Sequence, residues 1–249
     1  MKRVKTRTFS GVICEQEVYL VSDRAAEAGK LGMPRVRFRD ESERRAHREA
    51  MARRKCVQLV NANFAPGDLY VTLTFDDAHE VHTFPEARRV RSNYIRRLQY
   101  AYPDAVIFCV MGRGETTERI HFHLIVRGIP KEAIEATWRC GGVKRMVALR
   151  DKCVYDGVDH GADYTGLANY LFDHWTEEQG GHHYYMSRNA RRPEREEPTL
   201  CERVYTVDKP PRMKGYVLVE ARSNRFGYIY YKFIKEPVKA PRGRPRKVE

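Results

Sequence analysis

Two histidines separated by one hydrophobe, His121 and His123, stand inside the run Arg119-Ile120-His121-Phe122-His123-Leu124-Ile125-Val126. The run has a strand's composition, and residues two apart on a strand share a face. Phe122, Leu124 and Val126 read as core, while both imidazoles project together from the opposite face. Two imidazoles so placed can reach one metal ion. Carboxylates close in sequence are Glu115, Glu118, Asp76 and Asp77. An imidazole-and-oxygen donor set suits Mn2+ and other first-row ions, whereas Mg2+ prefers mostly oxygen. An isolated His-x-His is more often a pair of half-exposed histidines at a sheet edge, so its neighbours decide. A second group with chemistry is Tyr170, followed four residues on by His174 and three on by Asp173. On a helix from about Thr165 to Trp175, His174 shares the face of Tyr170. A phenol becomes a nucleophile when its proton is lost or its oxyanion is stabilised. The bland reading makes Tyr170 a core aromatic beside Leu167 and Leu171.

The elements that must position these groups follow from periodicity. Leu69 to Phe75 alternates, with Val71, Leu73 and Phe75 on one face and Tyr70, Thr72 and Thr74 on the other. Pro85 fits the first turn of a helix carrying Ala87, Val90, Tyr94 and Leu98 at helical spacing. Ala105 to Met111 is a continuous apolar strand, and Gly112-Arg113-Gly114 turns it towards the histidine strand. Lys131 to Trp138 reads as a short helix, and Val143 to Leu149 as a strand. Adjacent strands joined by a short turn pair antiparallel. The expectation is an α+β fold: an antiparallel sheet with helices on one face and the other face free for ligand. Before this core, residues 1–60 hold strand-prone pieces such as Val18 to Val21 and a basic helix from Glu41 to Val60. After it, residues 186–203 read as a linker, and Tyr216 to Val219 with Phe226 to Tyr231 as a hairpin.

Composition narrows the partner. The 249 residues carry 46 Lys and Arg against 33 Asp and Glu, a net charge of +13. Such a field favours a polyanion, nucleic acid first. The arginine-rich helices offer Arg88 and Arg91, and the turn offers Arg113, as DNA contacts. No long apolar run suggests a membrane anchor, and the basic start lacks the apolar stretch of a signal peptide. Six scattered cysteines without a Cys-x-x-Cys pair fit a reducing cytoplasm.

Three features occur in one order: the Tyr70 to Phe75 strand, His121-Phe122-His123, and a late helix with Tyr170. Together with Gly112-Arg113-Gly114, Trp138 with Gly141-Gly142, and Gly166-Leu167-Ala168-Asn169-Tyr170-Leu171, they make residues 60 to 190 resemble the replication-initiator (Rep) branch of the HUH endonuclease superfamily, found on rolling-circle plasmids and phages. The resemblance implies a sheet like that of RNA-recognition folds, with His121 and His123 as ligands of Mn2+ or Mg2+. It implies that Tyr170 attacks single-stranded DNA at a replication origin, leaving a 5′-phosphotyrosyl bond and a 3′-hydroxyl that primes synthesis by the host replication machinery. Two positions depart from the family pattern. Gly112 stands where the family usually has a ligating Glu, and Glu115 is the substitute expected here. Asp173 and His174 stand where the family tyrosine is often followed by Lys. Tyr164 is the rival nucleophile, at the start of the helix.

The chain's end carries a separate signal. Pro241-Arg242-Gly243-Arg244-Pro245 matches an AT-hook core, in which Arg242 and Arg244 would enter a narrow A·T minor groove. A disordered basic tail binding phosphates is the plain alternative. The organisation expected is an N-terminal extension (1–60), a Rep-like core (61–190), a linker and hairpin (191–238) and a basic tail (239–249). The alternatives to a Rep enzyme are a transposase or relaxase of the same superfamily, or a non-catalytic DNA-binding protein that kept the fold. The sequence has no second adjacent tyrosine and no third histidine close to the pair, which favours the Rep branch.

Overall fold

The computed structural model describes residues 1–114, 117–155, 157–176, 179–180 and 182–236. Glu115, Arg242 and Arg244 lie outside the described residues.

The histidine strand is the centre of a five-stranded antiparallel sheet. Its members are β3 (Leu69–Phe75), β4 (Val106–Arg113), β5 (Ile120–Arg127), β6 (Gly141–Ala148) and β9 (Tyr185–Met186), in the order β6-β3-β5-β4-β9. The β3–β5 register sets Thr72 opposite His123 and Thr74 opposite His121, and the β4–β5 register sets Gly112 opposite His121. Alternation then divides the sheet as the sequence predicts. Val71, Leu73, Phe122, Leu124, Ile107 and Cys109 face one way, into a core closed by α3 (Phe84–Ala101) and α4 (Lys131–Thr137). α3 begins at a Thr83 cap with Pro in its first turn. It buries Ala87, Tyr94, Ile95 and Leu98, each of the larger ones worth ~1.5–3 kcal/mol relative to exposure.

The second face departs from expectation. It is not free: α2 (Glu41–Asn63) and α5 (Thr165–Phe172) pack over Tyr70, Phe108, Val110 and Ile125 through Cys56, Val60, Ala168 and Leu171. The physical reason lies in β4 and β5, whose hydrophobic runs continue on both faces, as strands covered on both sides require. Only the end bearing His121 and Thr74 stays open.

The first and last described strands belong to another sheet. β1 (Lys2–Ser10), β2 (Ile13–Val21), β10 (Glu194–Arg195), β12 (Tyr216–Ser223) and β13 (Ile229–Lys235) run in the order β10-β1-β2-β13-β12, and β11 (Thr199–Leu200) also pairs with β1. The terminal hairpin is β12–β13, and its second strand pairs with β2. The segment expected as a linker supplies the short strands along β1. This sheet meets the helices through buried charge. Arg54 on α2 bonds Glu15 at 3.0 Å and Glu17 at 2.7 Å, and Lys232 on β13 reaches Asp163 at 3.0 Å and Thr165 at 2.8 Å at the start of α5. Among the described residues no helix is long and apolar enough to cross a membrane, and the six cysteines are free thiols.

Candidate metal centre and cleft

His121 and His123 leave β5 on the same face, with Nε2 atoms 3.0 Å apart. A third imidazole joins them. His174 lies four residues beyond Tyr170, just past the end of α5, and its ring centroid is 4.4 Å from that of His123 and 6.0 Å from that of His121. One nitrogen from each of the three rings lies within 4.8 Å of the others, the one such group among the described residues.

Each ring has its Nδ1 held by an oxygen. His121 Nδ1 is 3.3 Å from the Arg119 carbonyl, and His174 Nδ1 is 2.8 Å from the Tyr170 carbonyl. His123 Nδ1 is 2.8 Å from the Tyr70 hydroxyl and 3.2 Å from Thr72 Oγ1. An oxygen on Nδ1 fixes ring orientation and leaves Nε2 for a metal. The donor set fits a divalent cation. Two nitrogens about 2.1 Å from one ion and at right angles would stand about 3 Å apart, the separation found between His121 and His123. Electrostatics agree: burial holds the His121 imidazole below its ordinary pKa and takes that of His123 to about 3, with neighbouring imidazoles adding repulsion. Both rings are therefore neutral near pH 7, the form that ligates.

Sequence reasoning placed His174 beside Tyr170 as an aid to catalysis and looked for the third ligand at Glu115. The structure gives His174 a place among the imidazoles, so a three-histidine cluster exists although the sequence has no third histidine near the pair. The signal was the Gly at position 112. A Cβ built there would lie 2.7 Å from His174 Cδ2 and 2.8 Å from His121 Nε2. Of the other carboxylates considered, Asp76 is turned to His79 and Asp77 to Arg119.

Tyr170 is half exposed and its ring packs edge-on to His174, with centroids 4.5 Å apart. It lines an open cleft of about 670 Å3 together with Thr72, His121 and His123. Tyr164, the rival, is buried at 3% exposure, and its hydroxyl donates to the Arg150 carbonyl at 2.9 Å. Asp173 pairs with Arg53 on α2 at 2.6 Å.

Among the described residues, the nominated cations Arg88, Arg91 and Arg113 do not line the cleft. Arg88 and Arg91 belong to α3, which covers the opposite face of the sheet. Arg88 donates to the Gln179 carbonyl at 2.6 Å, and Arg91 lies over the Tyr185 ring. Arg113 donates to the Glu118 carbonyl at 3.1 Å and lies over Phe84. The cleft is lined instead by Lys144, Arg145 and Arg119. The β3–β6 register slips between Thr72, opposite Arg145, and Leu73, opposite Val143. Lys144 is the extra residue of this bulge, and such an insertion re-aims side chains. Two consecutive cations thereby border one cleft.

No family model, curated protein or solved structure matches the chain. What defines it is thus an α+β fold with antiparallel sheets and a triad of histidines able to hold a metal ion.

Proposed function

We propose that the chain is a metal-dependent enzyme that nicks and rejoins single-stranded DNA, initiating rolling-circle replication at an origin in the manner of the Rep proteins it resembles. The observation that carries this reading is the convergence of three imidazole nitrogens beside the exposed phenol of Tyr170, in a cleft edged by Lys144 and Arg145. A divalent cation held by His121, His123 and His174 would polarise the scissile phosphate and stabilise charge on the leaving oxygen. Of Mn2+ and Mg2+, the all-imidazole set suits Mn2+ better.

The residues of the chain do the rest. Lys144 and Arg145 border the path of the phosphate backbone. Tyr170 Oη attacks phosphorus: the bond from tyrosyl oxygen to phosphorus forms, the phosphorus–O3′ bond breaks, and the phenolic proton is lost as the 3′ oxygen departs as a hydroxyl. One phosphodiester replaces another, so rejoining needs no nucleotide cofactor. Duplex DNA at the origin and the host replication machinery are the further partners in this reading.

The third imidazole removes one of the two grounds on which the sequence separates the Rep branch from relaxases and transposases. The single tyrosine of α5 remains the other. The test is incubation of the full chain with a single-stranded origin library and Mn2+. A covalent protein–DNA adduct and a free 3′-hydroxyl are expected. DNA binding without any adduct in Mn2+, Mg2+ or Zn2+ would establish the non-catalytic alternative instead.

A further inference from the structure

The first part of α2 is a helix without a core. Its buried residues are Cys56, Val60, Asn61 and Asn63, all in its last third. From Glu41 to Met51 every residue is exposed except Glu43, which is half-buried. About three turns, roughly 16 Å of helix, therefore project from the body of the protein. Such a helix is marginal unless its own side chains support it. Here they do. Asp40 caps it by accepting from the Glu43 amide at 2.9 Å, Glu41 pairs with Arg44 at 3.0 Å and with Arg48 at 2.8 Å, and Glu43 pairs with Arg39. Exposed pairs of this kind hold weakly, so a phosphate can take the arginines from them. The segment before the helix, residues 33–38, has no regular structure and presents Arg35 and Arg37 to solvent. Between positions 33 and 48, Arg35, Arg37, Arg39, Arg44, Arg45 and Arg48 thus stand against Asp40, Glu41 and Glu43.

The chemistry of this projection selects its partner. Cations at such density attract a polyanion. Surfaces that hold single strands add aromatic platforms on which bases stack. Phe38 is the one Phe, Tyr or Trp between positions 30 and 55, and its ring is already packed on His47, with centroids 5.1 Å apart. A rod of arginines without free stacking rings fits a double helix, whose major groove, about 12 Å wide, admits an α-helix. The other end of α2 sets where that duplex would lie. Arg53 follows the projection within one turn and pairs with Asp173, the residue before His174. Further on, Cys56 and Val60 share a core with Ala168 and Leu171 of α5. We propose that the start of α2 and the arm before it are the duplex-docking element of the chain, whose arginines hold the phosphates of double-stranded DNA beside the cleft in which a single strand is cut. The cutting half of that statement rests on the proposed function; the docking of duplex rests on the projection itself.

The test uses the full chain as wild type, as Arg35→Gln with Arg37→Gln, as Arg44→Gln with Arg48→Gln, and as the fourfold combination. Gln keeps helix propensity, and all four side chains are exposed, so Tm should stay at the wild-type value. The probes are a labelled G·C duplex, which offers the C-terminal tail no A·T groove, a single strand of the same length, and phosphatidylserine vesicles. Each paired variant should reduce the slope of log affinity against log salt on the duplex by about two, and the fourfold variant should bind duplex about tenfold more weakly or worse. Affinity for the single strand and the rate of adduct formation on it should stay within about twofold of wild type, because phosphates held at the projection are absent from that probe. A fourfold variant that keeps wild-type duplex affinity overturns the proposal. An equal loss on the single strand also overturns it, making the arm a holder of any polyanion. So does a loss confined to the vesicles, which would give the arm to a membrane surface. A wild-type chain that binds duplex through these arginines yet forms no adduct leaves the docking element standing and removes the enzymatic reading. An adduct from a chain whose duplex binding ignores the four arginines has the opposite meaning.

Discussion

Gly112 and His174 share one space. The strand residue lacks a side chain, and the imidazole from the end of α5 lies where its Cβ would be, at 2.7 Å from Cδ2. A closeness under 3 Å requires something to move. Gly112→Ala should therefore displace His174 or His121 and weaken Mn2+ binding at least tenfold, with an overpacking cost of about 1–3 kcal/mol in stability. The penalty of Gly112→Ala on metal affinity should shrink in a His174→Ala background, because the two residues act on one space. Additive effects in this double-mutant cycle, read by calorimetry, would reject the relationship.

Metal binding to the native state alone should raise stability by mass action. At a free Mn2+ concentration 100 times Kd the gain is about 2.7 kcal/mol, visible as a rise in Tm. His121→Ala, His123→Ala and His174→Ala should each remove most of that rise. If the His174→Ala chain keeps the full wild-type shift, the third ligand is not His174.

Phosphate contact in the cleft predicts a split between two sets of cations. Lys144→Ala and Arg145→Ala should each weaken single-stranded DNA binding and reduce the slope of log affinity against log salt by about one. Arg88→Ala and Arg91→Ala should leave that slope unchanged and lower Tm, because their side chains serve the Gln179 carbonyl and the Tyr185 ring. The reverse pattern would place the DNA path on α3.

Glu17 gives the acid limb of stability. Burial acts to raise its pKa, but the hydrogen bond and charge of Arg54, with a further bond from Tyr228, outweigh it and hold the carboxyl below its ordinary value of 4.5. The folded state thus binds its proton less readily than the unfolded chain. The stabilisation is fully present above pH 4.5 and is lost as pH falls through the lower, folded pKa. Arg54→Ala leaves Glu15 and Glu17 buried without their cation and should cost about 3–5 kcal/mol near pH 7. Urea titrations at pH 7 and pH 4 should show the gap between wild type and variant closing at the lower pH. A gap independent of pH would mean that Arg54 stabilises by packing alone.

Much of this architecture was legible because a strand's period is two. The alternation of Val71, Leu73 and Phe75 against Tyr70, Thr72 and Thr74 fixed which residues share the cleft, and His-Phe-His fixed the paired imidazoles. Three features were not legible, each for a physical reason. His174 reaches the pair only because α5 packs on α2 and the open end of the sheet, a tertiary contact between residues far apart in the chain. Lys144 and Arg145 border one cleft because of a bulge, and a two-residue period puts neighbours on opposite faces. The pairing of β2 with β13 joins the second strand to the last described one, and no local pattern encodes such a partner. Gly112 was read as the loss of a ligand; the volume it leaves empty is what admits the His174 imidazole.

Exposure and bonding separate the two candidate nucleophiles. Tyr170 lies within α5, and Tyr164 is the N-cap residue just before it. Tyr164 spends its hydroxyl on the Arg150 carbonyl inside the core, and burial pushes its phenol well above its ordinary pKa. It cannot reach DNA without unfolding its surroundings. Tyr170 presents its ring to the cleft, against His174 and His123. Tyr170→Phe should keep the fold, the Mn2+ affinity and the DNA affinity, and abolish the adduct. Tyr164→Phe should keep the adduct and lose about 1 kcal/mol of stability with its hydrogen bond. Mass spectrometry of the digested adduct should find the nucleotide mass on the peptide carrying Tyr170. The same mass on the Tyr164 peptide, or an adduct persisting in Tyr170→Phe, would show that the cleft tyrosine is not the attacking group.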